Sequence, residues 1–189
     1  MGEMESKLEL PRSEHLLEMS FQEALTAAAR LVSFVNSLHY TDRSIIQDRQ
    51  IGMFMQDIVH FALHMRKIGE LSELKQTHSN LCLIPIKRGR EVSPANLITE
   101  PIQEFWKIID RIIHSQSIVV LATDEAEESA GFESFDCMSD FRGRRIRNCL
   151  VRSDRGNAFA VSPERLVLTF VELLLPLVRD QIRESAVKS

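Results

Sequence analysis

The chain has 189 residues, enough for one domain with a full core, and its 44% hydrophobic and 26% charged content excludes a disordered or low-complexity chain. A formal net charge of -4 argues against a protein that coats nucleic acid over its whole surface, while leaving room for a local basic patch. Cys82, Cys137 and Cys149 are an odd, scattered set with no short metal-type spacing, which points to reduced thiols in a cytoplasm rather than to a disulfide framework.

Residues 1–12 are expected to be a flexible start with no apolar signal core. From Ser13 to Leu38, Leu17, Phe21, Ala24, Ala28, Leu31, Val35 and Leu38 recur at helical spacing, which predicts a first long helix. Thr41 or Asp42 can cap a second, whose apolar side carries Ile46, Ile51, Phe54, Ile58, Phe61, Met65 and Ile68 and which is expected to end near Gly69. Glu70 to Asn80 is polar and reads as a helical extension or a loop. Leu81 to Ile86 has strand character, but Pro85 has no amide hydrogen to donate and confines it to a sheet edge. A charged turn around Gly89 follows. Thr99, with Pro101 behind it, then predicts the start of a third helix carrying Ile102, Phe105, Trp106, Ile109, Ile112 and Ile113. Trp106 reads as a core anchor.

Ser117 to Thr123 is short and rich in β-branched residues, hence a strand. Residues 124–141 hold seven acidic side chains, from Asp124 to Asp140, and form an acidic loop. Asn148 to Ser153 and Ala158 to Ser162 flank Asp154, Arg155, Gly156 and Asn157, the residue types that a tight reversal requires, so they predict a β-hairpin. Ser162, Pro163 and Glu164 then give an N-cap, a first-turn proline and a favourable charge for a terminal helix. That helix is apolar around most of its circumference, from Leu166 to Val178, so cover on several sides is expected. It is too short to span a membrane, which takes about 20 residues. Pro176 should kink or restart it. The fold class expected is α+β in a single domain, 1–189: about four main helices with a small antiparallel sheet or hairpin before the C-terminal helix.

The most function-like feature is the arginine group Arg142, Arg144, Arg145, Arg147, Arg152 and Arg155. Guanidinium forks match phosphate oxygens two at a time, so the group can bind phosphate or nucleic acid; equally, it can neutralise the acidic loop before it. Asp57, His60 and His64 fall at spacings that share one side of the second helix, a weak candidate metal set without a matching partner motif elsewhere. Asp110, Arg111 and His114 could join in a polar network near the end of the third. No Gly-Xaa-Ser-Xaa-Gly motif, catalytic cysteine setting or glycine-rich phosphate loop occurs, so no catalytic residue, bound metal or cofactor is assigned.

The run Arg147-Asn148-Cys149-Leu150-Val151-Arg152, followed by a Ser-Pro-Glu helix start, resembles the Arg-Asn-Xaa-Xaa-Xaa-His signature of the helical HEPN ribonuclease superfamily. The resemblance covers the last quarter of the chain and implies RNA cleavage from a motif that opens a helix. Arg152 stands here where that family has its histidine. The reading expected from the residues themselves is a non-enzymatic protein-interaction module that self-associates or binds a protein partner through the basic hairpin and acidic loop. Nucleic-acid binding through the arginines is the alternative, with no membrane role.

Overall fold

Two long helices, α1 (Ser13–Asn36) and α2 (Ile45–Leu71), carry most of the core. The computed structural model describes residues 13–36, 45–84, 103–123, 145–153 and 158–188. Cross-helix partners run in opposite directions, Phe34 on Phe54, Arg30 with Asp57 and Glu23 with His60, so the pair is antiparallel. Ala24, Ala27 and Ala28 are all buried on α1, and their small side chains allow the backbones to approach closely.

After α2 come a short helix, α3 (Leu74–Thr77), and then α4 (Phe105–Ile113). α2 ends at Leu71, near Gly69 as expected, but the left-handed residue in the turn that follows is Glu73, with φ 58°, and not the glycine. Gly69 is required for packing instead, because a Cβ there would lie 2.8 Å from two ring atoms of Trp106. Trp106 is buried as expected, and its indole nitrogen donates to the His78 carbonyl at 3.0 Å.

The expected start of the third helix at Thr99 is overturned. Cys82 and Glu104 form an antiparallel bridge, with Leu83 N donating to Gln103 O at 2.8 Å and Phe105 N to Leu81 O at 2.7 Å. Gln103 and Glu104 are thereby held extended, so the helix can begin only at Phe105. The strand expected over Leu81 to Ile86 is reduced, in its described part, to this single bridge. Thr41, Asp42, the Gly89 turn and the acidic loop 124–141 lie outside the described residues.

The sheet is three-stranded and antiparallel, in the order β1 (Ser115–Thr123), β2 (Arg145–Ser153), β3 (Ala158–Val161), and it precedes the terminal helix as the residue pattern indicates. Val120 pairs with Cys149 and Ile118 with Val151, while Cys149 pairs with Val161; these five line the buried face. Val119, Leu150 and Ala160 pair across the other face.

The terminal rod comprises α5 (Pro163–Thr169), a π-helical turn (Phe170–Leu174) and α6 (Leu175–Lys188). Ser162 caps it, its hydroxyl accepting from Arg165 N at 3.4 Å. Leu166, Phe170, Leu174 and Val178 are completely buried, and Phe170 meets Phe21 and Phe61 edge-on at 6.3 and 5.7 Å. A stripe spaced by four residues drifts by roughly 40° per step on an ordinary helix, and the wider π turn reduces that drift. The same turn holds Glu172, whose carbonyl an ordinary helix would direct at the Pro176 ring, so it is where the expected interruption falls. Cover is on several sides over α5, as expected, with Pro163, Arg165, Leu166, Val167 and Thr169 all buried, but not beyond it, where Val171, Leu173 and Leu177 remain 38%, 41% and 37% exposed. No helix among the described residues is long and apolar enough to cross a membrane.

Candidate functional site

The two places singled out by residue type fall on different elements. Arg145, Arg147 and Arg152 lie along β2, and of these the described side chain is that of Arg152, which is exposed and pairs across the ladder with Ser117 and Ala158. Arg142, Arg144 and Arg155, like the side chains of Arg145 and Arg147, lie outside the described residues. Thr123 is the register partner of Arg145, so the acidic segment leaves the sheet at the edge where the arginine-rich segment enters it.

The Arg147 to Arg152 run is a strand, as its residue types indicate, and not the helix opening of the ribonuclease signature. Its cysteine, Cys149, is completely buried in the sheet, and burial pushes the thiol far above its ordinary range, so it stays protonated and inert.

The sheet has two dissimilar edges. On β3, the Gln103 side-chain amide donates to Ala160 O at 2.9 Å. On β1, no described strand pairs with the outer side, and the strand's nine residues, SQSIVVLAT, contain neither a charge nor a proline. Val119, at its centre, is exposed.

The other place is the seam between α1 and α2. His60 and His64 sit one turn apart, with ring centroids at 4.4 Å and planes tilted by 52°. The carboxylate that joins them is Glu23 of α1, whose Oε2 lies 3.1 Å from His60 Nε2. One donor atom from each of the three lies within 4.8 Å of the others. Asp57 is absent from this group, correcting the set expected from spacing on α2 alone: the Arg30 guanidinium takes it, at 3.2 Å. Arg30 and Glu23 are two turns apart on α1, as Asp57 and His64 are on α2, so antiparallel packing sorts them into an ion pair and an imidazole–carboxylate group. His64 has a buried Nδ1 with no hydrogen-bond partner among the described residues. Burial, helped by the His60 charge, holds its pKa below the usual imidazole value, with Glu23 opposing and Lys67 adding to the depression.

Glu23 could not be found from the sequence, because its role depends on a helix register that no spacing encodes. Arg165 is a second residue that was missed. Only 6% exposed, it donates from Nε to Ile84 O at 3.1 Å and from Nη2 to Leu83 O at 3.3 Å, while Ile84 N donates to Thr169 Oγ1 at 2.9 Å. It fastens the segment after α3 to the terminal rod. Asp110, Arg111 and His114 do not form one network: Asp110 accepts twice from Lys75 at 3.0 Å, Arg111 lies 4.7 Å over the Phe159 ring, and His114 lies 3.5 Å from Arg66. Comparison with protein-family models, curated proteins and solved structures finds no match to this chain.

Proposed function

We propose that this chain is a non-enzymatic protein-interaction module, working in the cytoplasm, that self-associates through the outer side of β1, with which no described strand pairs, and the hairpin and acidic segment beside it. The observation that carries the reading is β1: an edge strand whose outer side no described strand pairs with, free of the charges and prolines that normally discourage pairing. Two copies meeting along β1 about a two-fold axis would give a continuous antiparallel sheet, with the same surface used on both sides. Opposite charge on the segments leaving β1 and entering β2 would guide the approach. Light scattering coupled to size exclusion tests this. A dimer that dissociates when Val119 is changed to lysine supports the reading, and a monomer at every concentration and salt rejects it.

The second reading is nucleic-acid binding through the arginines, favoured by the exposure of Arg152 on the sheet. It requires affinity that falls steeply with added salt and weakens in an Arg144→Ala, Arg145→Ala double variant. No binding of RNA or DNA at low salt removes it. Cleavage has no support in the geometry, since the signature-like run is a strand and Arg152 occupies the histidine position.

A further inference from the structure

We propose that Glu23, His60 and His64 bind a divalent first-row transition ion, Zn2+ in the simplest case, across the seam between α1 and α2. The inference does not depend on the interaction reading. Two imidazole nitrogens and one carboxylate oxygen are a donor set suited to Zn2+, Ni2+ and Cu2+, and are too poor in oxygen for Mg2+ or Ca2+.

The distances favour closure on an ion. Ligands about 2.0–2.2 Å from a tetrahedral ion stand roughly 3.3–3.5 Å apart. Glu23 Oε2 and His60 Nε2 already lie at 3.1 Å, and all three donors lie within 4.8 Å. A movement of roughly 1 Å, within reach of side-chain rotation, would complete the triangle. The backbones need not move, because each ligand sits beside buried anchors: Ala24 next to Glu23, and Phe61 and Met65 next to the two histidines.

The chemistry of His64 agrees. Its buried Nδ1 lacks a partner among the described residues, a cost that coordination, or the ring rotation that accompanies it, would remove. His60 and Glu23 are half-exposed, at 44% and 53% of their side chains, so an ion can enter from solvent, and water can fill the fourth position. Lys67, whose charge already acts on His64, opposes the cation and limits the affinity. The alternative is a plain His60–Glu23 ion pair, which would bind no metal.

The test is calorimetric titration of the EDTA-stripped full chain with ZnSO4, repeated with CoCl2 while the visible bands of the bound ion are recorded. The expected result is one ion per chain. Its affinity should fall by at least about tenfold, the scale on which even outer partners of metal sites matter, in Glu23→Gln, His60→Gln and His64→Gln, and should persist in His15→Gln. Zinc should also raise the melting temperature of the wild type and not of these three variants. Absence of binding at millimolar Zn2+, several weak ions per chain, or binding that survives the Glu23→Gln, His60→Gln double variant would each overturn the proposal. Should His64→Gln fail to fold by circular dichroism, the two half-exposed positions decide the matter.

Discussion

The helical layer and the sheet meet the same demand, to pair every backbone group and keep apolar surface dry, with unequal completeness. In α1, α2 and the terminal rod the backbone is satisfied within each helix, and side chains such as Phe21, Phe61 and Phe170 close the space between them. A strand instead depends on its neighbours: β3 has the Gln103 amide on Ala160, whereas β1 has a paired side and an outer side with which no described strand pairs. The helical layer should therefore govern stability and the sheet edge association, and substitutions in the two regions should separate these properties.

The sharpest test is Phe170→Ala. The ring is completely buried at the point where the rod meets both long helices, and truncation should cost about 3–5 kcal/mol, read from the urea midpoint, without altering the concentration dependence of the molecular mass. Next is Gly69→Ala. In an exposed helix this change usually gains about 0.5–1 kcal/mol. Here the new methyl would meet the Trp106 ring at 2.8 Å and Lys75 Cβ at 3.2 Å. The indole is fixed by its bond to the His78 carbonyl, so overpacking of about 1–3 kcal/mol should prevail and the variant should be less stable. Fluorescence of the single tryptophan reports both the unfolding and the displaced ring.

The same division explains what could be read from the residues alone. Periodicity marks a helix because the helix satisfies itself, and so α1, α2, the hairpin strands and the Ser162 cap were legible. The start of α4 was not, since it is set by a bridge from Cys82 to Glu104, between segments far apart in the chain. Gly69 carries the signature of a helix end, yet it serves the tryptophan, a partner that only the tertiary fold supplies. The seam group was half legible: the spacing of His60 and His64 is local, while Glu23 and the diversion of Asp57 to Arg30 depend on the register of two helices.

On the sheet side, Val119→Lys should do the opposite of Phe170→Ala. The side chain is exposed at the centre of β1, so the change in stability should stay within about 0.5 kcal/mol. The dimer proposed above should nevertheless dissociate, because a charge on an edge strand opposes pairing with a second copy. An unaltered mass together with an unaltered midpoint would end the division of labour between the two regions.

The smallest effect returns to the helix seam and concerns acid. The folded pKa of His64 lies below the unfolded value of 6.5, through burial first and the His60 charge second. Between those two values the unfolded chain holds a proton that the folded chain does not, so stability contributed by this site rises with pH across the window and levels off above 6.5. Below the folded pKa both states are protonated, and the loss is complete. Half-exposure of the neighbouring imidazole and the opposing Glu23 carboxylate keep the effect small. Urea midpoints between about pH 5 and 7.5, in EDTA, should therefore fall more steeply toward acid in the wild type than in His64→Gln, which has no proton to gain. Equal slopes would mean that the histidine is as well solvated in the fold as in the open chain, and the seam would then be a surface groove and not part of the helical core.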